Sequence, residues 1–199
     1  MSDAHEHMEH AEHAEHAAGF NKKIALLIAV LALFLSFSET LGKGAQTEAI
    51  DANVKSTDLW AFFQAKTIRR TELLTAAAML KLQQASLADP PAPAKAAIDK
   101  QIDDWEKVAA TFDSDPKSRE GRKELTERAK AAEETRDLAM DKYHHYELAS
   151  AAFQVGIVLA SATVITGMLA LAWCAGGLGI IGLVLLGFGL FAPHVLTFL

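Results

Sequence analysis

Charged side chains are absent from the last quarter of this 199-residue sequence, where no Asp, Glu, Lys or Arg occurs between Ala149 and Leu199. Gln154 and His194 are the only strongly polar residues there. This excludes an ordinary water-exposed surface and is typical of membrane-spanning helices, which need about 20 apolar residues to cross a hydrocarbon core of about 30 Å. Because a Gly-rich break at residues 175–177 divides the stretch, we predict a hairpin of two transmembrane helices at residues 149–174 and 177–199.

Cysteine is scarce, and motifs of catalysis are missing. The single cysteine, Cys174, excludes an intramolecular disulfide and any CxxC site. It lies at the end of an apolar segment, where a small residue favours packing. The sequence contains no HExxH, no GxSxG, no P-loop and no Gly-rich dinucleotide fingerprint. We therefore expect a protein that is not an enzyme.

The middle of the chain has no excess of basic charge. Residues 43–147 contain 17 Lys and Arg against 19 Asp and Glu. Because a nucleic-acid surface needs a basic excess, we expect no nucleic-acid partner.

Residues 1–21 form a polar segment in which His and Glu alternate. The biased composition predicts a flexible, solvated tail. If the segment is helical, neighbouring histidines lie one turn apart and would bind Zn, Ni or Cu weakly. Acidification through about 6.5 would also charge the histidines, which predicts a response to pH. The candidate metal ligands are His5, His7, His10, His13 and His16.

A first transmembrane helix is predicted at residues 22–43. Lys22 and Lys23 precede an apolar run from Ile24 to Leu41, which is about 27 Å long as a helix and just spans a bilayer. A cleaved signal peptide is the alternative, because small residues follow the apolar core. The long acidic segment before it argues against cleavage.

Between the first and second membrane segments, residues 44–147 predict a helical insert. Its helices are expected at about 46–88, 94–112 and 116–148, separated by prolines at residues 90–93 and 116. Asp115 is expected to cap the third helix, with Pro116 as its first residue. Because the first and third helices leave and re-enter the same membrane face, they must run antiparallel, as a coiled-coil-like stalk.

The first insert helix has a broad apolar stripe, which we expect to be buried against other helices. So broad a face on so few helices also predicts self-association of copies. Trp60, Phe62, Phe63 and Trp105 are the candidates for packing within the stalk or for contact between subunits. The positions at helical spacing are Ile50, Val54, Ala61, Ile68, Ala78 and Leu82, and the residues that widen the stripe are Leu59, Phe62, Phe63, Leu73, Ala77 and Leu80.

Small residues recur at four-residue spacing in the predicted membrane hairpin, and further glycines follow in its last segment. Such residues let membrane helices approach closely. The candidates for helix packing are Gly156, Ala160, Thr163, Gly167, Gly179 and Gly182.

One stretch of the insert carries a family resemblance. It comprises Thr47-Glu48-Ala49-Ile50, Asn53, and the segment from Asp58 to Lys66 with the sequence DLWAFFQAK. Together with the His/Glu-rich segment and the layout of one membrane helix before the insert and two after it, this stretch resembles a family of bacterial membrane proteins known as a domain of unknown function. The resemblance implies the fold and an inner-membrane location. It implies no reaction.

These patterns predict an all-α integral membrane protein with three transmembrane helices. We expect an oligomeric scaffold or interaction protein whose partners are the lipid bilayer, further copies, and another membrane or stalk-binding protein. One alternative is a metal-responsive or pH-responsive protein that acts through the His/Glu segment. A second is a channel or transporter subunit, although the turn near residues 173–177 has no carboxylate for cation selection.

The distribution of basic residues leaves the orientation open. Lys22 and Lys23 favour a cytoplasmic N-terminus, which we adopt. Basic residues near the base of the insert favour the reverse, namely Lys43, Lys55, Arg136 and Lys142.

Overall fold

The computed structural model describes the backbone of residues 2–87 and 91–196, and the side chains of residues 21–87 and 91–194. All regular structure in these residues is helical, and no strand occurs among them. The all-α prediction is therefore confirmed. The elements are α1 (Ser2–Ser86), α2 (Ala92–Asp113), α3 (Arg122–Thr166), α4 (Leu169–Phe191) and a 3-10 helix (Pro193–Leu196).

Helix α1 is long because nothing in its sequence interrupts it. It contains 85 residues, none of them proline, and ends just before the prolines that begin at residue 90. Its first part includes the His/Glu-rich segment that we expected to be flexible. The abundance of Ala and Glu there favours helix.

The chain forms two compact units. We call Met1–Ala49 with Asp137–Leu199 the terminal unit, and Ile50–Arg136 the insert unit. Helices α1 and α3 contribute residues to both.

Buried positions on α1 and α3 repeat every seven residues. The side chains at this spacing are almost fully buried in both helices. A strict repeat of seven is typical of helices that pack side by side with a left-handed twist. The positions are Ile24, Leu31, Ser38, Ala45, Ala52 and Leu59 on α1, and Leu125, Ala132, Ala139, Tyr146, Phe153 and Ala160 on α3.

In the terminal unit, α1, α3 and α4 pack around two small apolar clusters. One contains Ile24, Ala160 and Ala175, and the other is centred on Leu31 and Phe153. The packing covers little of the apolar surface. Among the residues that the structure describes, three helices are long and apolar enough to cross a membrane, and only 17% to 28% of the most apolar 18-residue window of each is buried.

The break between α3 and α4 lies at Gly167 and Met168, so the predicted boundaries at residues 174 and 177 were wrong. Gly167 has a φ of +69°, and its N–H donates to the carbonyl of Thr163 at 2.9 Å. A glycine in this left-handed conformation ends a helix without steric strain. Gly176 and Gly177 lie inside α4, among residues that favour helix in an apolar setting.

In the insert unit, contacts progress along α1 in the direction opposite to α3. Ser56 hydrogen-bonds Glu133, whereas Lys66, further along α1, pairs with Glu120 at 3.8 Å, ahead of α3. Leu59 packs against Leu125 and Ala129. The two helices are therefore antiparallel in this unit, as the sequence predicts.

The turn between α2 and α3 differs from the prediction, because α3 begins at Arg122 and not at Pro116. The Asp115 carboxylate caps only the short turn that follows it, accepting the Ser118 hydroxyl at 2.6 Å and backbone N–H groups of residues 117 and 118. Glu124 reaches back from α3, and its carboxylate accepts the Ser114 hydroxyl at 2.6 Å and the Asp115 N–H at 3.2 Å.

These hydrogen bonds predict a dependence of stability on pH. The Ser114 hydroxyl lowers the pKa of Glu124 below its ordinary 4.5, and the Ser118 hydroxyl lowers the pKa of Asp115 below its ordinary 3.8. A carboxyl whose pKa is depressed by folding stabilises the fold above its unfolded pKa, and this is lost as pH falls through the folded pKa. We expect Glu124→Gln to reduce the fall in melting temperature between pH 6 and pH 3, measured by circular dichroism. Glu127→Gln, a control on α3 outside these hydrogen bonds, should leave that fall unchanged.

Gly121 is required in the same turn by close approach of the backbone. A Cβ there would lie 2.6 Å from the Ser114 Cα and would also clash with the Asp115 nitrogen. Because backbone atoms cannot move aside as side chains do, we expect Gly121→Ala to destabilise the protein by about 1–3 kcal/mol in urea unfolding. Gly44 on α1 is the control, since a Cβ added there would meet nothing within 4 Å. Gly44→Ala should be neutral or stabilise by up to about 1 kcal/mol.

Candidate interaction surface

The buried side of α1 in the insert unit is organised by one carboxylate. Trp60 Nε1 donates to Glu133 Oε1 at 2.8 Å, and the Ser56 hydroxyl donates to the same oxygen at 3.3 Å. The Trp60 ring meets Phe63 edge to face, with centroids 5.5 Å apart, and the Arg122 guanidinium lies 5.0 Å from the Phe63 centroid. Glu133 thus fixes the position of α1 against α3 through two donors.

The predicted aromatic residues separate into two groups. Trp60 and Phe63 are half-buried beside Leu59, Leu125 and Ala129, and Trp105 is half-buried on α2. Phe62 is 36% exposed, with the Lys66 ammonium 5.1 Å from its centroid. Nothing in the sequence pattern distinguished Glu133, because one Glu among the many on α3 has no special spacing.

Removal of the carboxylate should weaken the insert unit. We expect Glu133→Ala to lower the free energy of unfolding by about 1–3 kcal/mol, because the half-buried Trp60 N–H then has no acceptor. Glu133→Gln keeps a carbonyl oxygen and should retain most of the stability. Glu134→Ala, an exposed neighbour, is the matched control. Equal unfolding midpoints in urea for the Glu133→Ala and Glu134→Ala variants would contradict this role.

The opposite side of α1 carries an exposed apolar face, which we call the outer stripe. The broad apolar stripe that we expected to be buried is buried only in part: Leu59 and Ala77 are buried, but the large members of the outer stripe are 54% to 73% exposed. Residues of the seven-residue repeat, many of them small, face α3 instead, because they let the helices approach closely. The outer stripe consists of Ile50, Val54, Ala61, Ile68, Met79 and Leu82.

Threonines between these residues add to the apolar character of the outer stripe. The Thr57 hydroxyl donates to the Asn53 carbonyl at 2.9 Å, and the Thr71 hydroxyl donates to the Thr67 carbonyl at 2.9 Å. Because each hydroxyl is satisfied within α1, it needs no further partner and leaves the methyl group available for contact. A shallow depression of about 520 Å³ follows the face from Thr67 to Met79.

Most of the predicted packing residues of the hairpin lie at close helix contacts. A Cβ on Gly179 would lie 2.7 Å from Leu31, one on Gly182 would lie 2.7 Å from Phe153, and one on Gly156 would lie 3.3 Å from the Ala175 carbonyl. Ala160 and Thr163 are fully buried. Gly167 is different, because it forms the turn and a Cβ there would meet nothing within 4 Å.

His145, which no sequence pattern marks, lies on α3 and is fully buried beside the end of α4. Its Nε2 donates to the Pro193 carbonyl at 2.9 Å, which ties the segment after α4 to α3. A Cβ on nearby Gly189 would lie 2.6 Å from the Tyr146 ring. His194, the one strongly polar residue near the C-terminal end of the apolar stretch, is exposed, and its Nδ1 lies 3.2 Å from Asp141 Oδ2.

The side chains of the candidate metal ligands lie outside the described residues, so His5, His7, His10, His13 and His16 remain a prediction. Within the side chains that the structure does describe, no group of three or more His, Cys, Asp or Glu is placed to hold a metal ion.

Residues 20–192 match a family described as Domain of unknown function (DUF4337). The chain belongs to this family. No curated protein and no solved structure matches it. The DUF4337 match includes the three apolar helices and the whole outer stripe, and it begins after the five histidines of the N-terminal segment.

Proposed function

We propose that this protein is a membrane-embedded interaction protein whose copies associate through the outer stripe of α1. The observation that carries the proposal is the exposure of that stripe in a part of the chain that is otherwise rich in charge. We further propose the bacterial inner membrane, with the N-terminus in the cytoplasm, as its location.

Membrane insertion is supported by the surface of the terminal unit. Ile165, Trp173 and Phe191 are between 76% and 89% exposed, and they belong to helices of membrane-spanning length. Exposed apolar surface on this scale marks contact with a membrane or with protein. A bilayer would cover it.

Lipid does not explain the outer stripe, because the stripe lies in the insert unit among acidic and basic residues. Val54, Ala61 and Ile68 are spaced by seven residues, and Leu82 follows two repeats later. Apolar residues at this spacing pack against another helix. The stripe therefore requires a helical partner.

A second copy of the chain fits this requirement. Two copies inserted into a membrane in the same orientation have α1 helices that run in the same direction. Their outer stripes can therefore pair in parallel about a twofold axis. Residue i then meets its own counterpart, as a symmetric interface requires. Ile50, Val54 and Ile68 are of a size that fills the core of a two-stranded coiled coil.

A charge placed within the stripe should separate the copies. We expect the double variant Val54→Asp, Ile68→Asp to raise the dissociation constant of the multimer about 100-fold or more, because an unpaired carboxylate is costly to bury and 1.4 kcal/mol corresponds to a factor of ten. The mass of the full-length protein in mild detergent, measured by analytical ultracentrifugation over a concentration series, reports the change.

Val108→Asp on α2 is the matched control, because Val108 is 44% exposed and lies outside the stripe. It introduces one Asp at an exposed Val, as Val54→Asp does, and should leave the multimer intact. A wild-type chain that is monomeric over the whole series, or a double variant that assembles as the wild type does, would overturn the proposal.

A further inference from the structure

A polar groove lies between α1 and α3 within the terminal unit. It has a volume of about 410 Å³. Its buried lining includes Ser38, Gly42 and Ser150, whereas long polar side chains line it where it opens. Those side chains are Glu39, Lys43, Gln46, Glu147 and Gln154.

Small residues hold the two helices close behind the groove. The Ser38 hydroxyl donates to the Tyr146 carbonyl at 2.8 Å, and a Cβ on Gly42 would be in van der Waals contact with the Tyr146 Cβ, at 3.5 Å. The backbone positions on either side are thereby fixed. The groove is therefore a built feature of the helix pair.

The charged side chains in the groove form few ion pairs and hydrogen bonds with the rest of the described chain. No ion pair is formed by the Lys43 ammonium within the described side chains. Glu39 accepts one long hydrogen bond, from the Gln154 amide at 3.4 Å. Glu147 has more partners within the chain. The Tyr143 hydroxyl donates to Glu147 Oε1 at 3.4 Å, and His144 Nδ1 lies 3.8 Å from Glu147 Oε2.

The groove also lies at the end of the apolar segments. The uninterrupted apolar run of α1 ends at Leu35, three residues before Ser38, and the uncharged part of the chain begins at Ala149, between Glu147 and Ser150. In a membrane-inserted chain, which is part of the proposed function, this is the level at which lipid headgroups meet water.

We propose that the groove binds the headgroup of a phospholipid that carries a primary ammonium, namely phosphatidylethanolamine. Lys43 pairs with the phosphate, while the Glu39 carboxylate and the Gln154 amide oxygen accept hydrogen bonds from the ammonium. Lys43 and Glu39 are four residues apart on α1, hence neighbours on its surface about 6 Å apart at Cβ. A bound headgroup therefore reaches both charges at once.

The chemistry of the groove discriminates between headgroups. Choline has no N–H to donate to Glu39. Phosphatidylglycerol has no cation, and its negative charge meets Glu39 and Glu147. The acyl chains lie against exposed apolar side chains one turn further along α3, at Val155 and Val158. Lipid therefore fits the whole surface better than a free phosphoester does.

Native mass spectrometry of the full-length protein, released from nanodiscs, tests this assignment. The nanodiscs contain equal amounts of phosphatidylethanolamine, phosphatidylcholine and phosphatidylglycerol with identical acyl chains. We expect phosphatidylethanolamine to be retained about tenfold more often than either competitor. Glu39→Gln should remove the preference over phosphatidylcholine, and Lys43→Gln should reduce retention of all three lipids.

Glu48→Gln and Lys55→Gln are the matched controls, because both residues are exposed on α1 outside the groove. Their lipid retention should equal that of the wild type. Equal retention of the three lipids by the wild type would overturn the assignment, and so would loss of preference in Glu48→Gln. Displacement of the lipid by an equal concentration of soluble glycerophosphoethanolamine would identify a soluble ligand and overturn the lipid assignment.

The same spectra separate this inference from the proposed function. A monomer that retains phosphatidylethanolamine would overturn self-association and support the groove. A multimer without lipid preference would overturn the groove alone. Recovery of the chain in the soluble fraction, without membrane, would overturn both.

Discussion

The seven-residue repeat of buried positions on α1 is the constraint on which the rest of the structure depends. It is occupied largely by Ser38, Ala45 and Ala52 in the middle of the helix, so α3 approaches closely there. Close approach leaves no room for large apolar side chains on that side. At this level of α1 the large side chains of Ile50 and Val54 lie on the outer side, where another molecule can cover them.

The sequence predicts the helices well, but it predicts poorly which side of each helix is buried. Helical content follows from local causes, namely the lack of proline in α1 and the abundance of Ala, Leu, Lys and Glu. The choice of buried face does not. Ile50, Val54 and Ile68 are more hydrophobic than Ala45, Ala52 and Ser56, yet they are the exposed ones, so hydrophobicity alone does not select the buried face. The buried side is decided by how closely two helices can approach each other, and this distance depends on both helices.

Turns were predicted at residues of the right type but at the wrong positions. Gly176 and Gly177 have the composition of a break, yet the single Gly167 forms it, because one left-handed residue with its hydrogen bond to Thr163 is sufficient. Asp115 and Pro116 have the composition of a helix start, but Glu124 hydrogen-bonds back to residues 114 and 115 and leaves α3 to begin at Arg122. The role of Glu133 depends on a neighbour 73 positions away in the sequence and has no local signal.

The shared repeat also restricts how the length of this protein can change during evolution. One residue inserted into α1 between Ser38 and Ala52 rotates every later side chain by about 100° and turns the outer stripe towards α3. An insertion of seven residues keeps the same side of α1 turned towards α3, provided that α3 gains seven residues at the same level. Related chains of different length should therefore differ by paired insertions in multiples of seven, so that the two helices lengthen together.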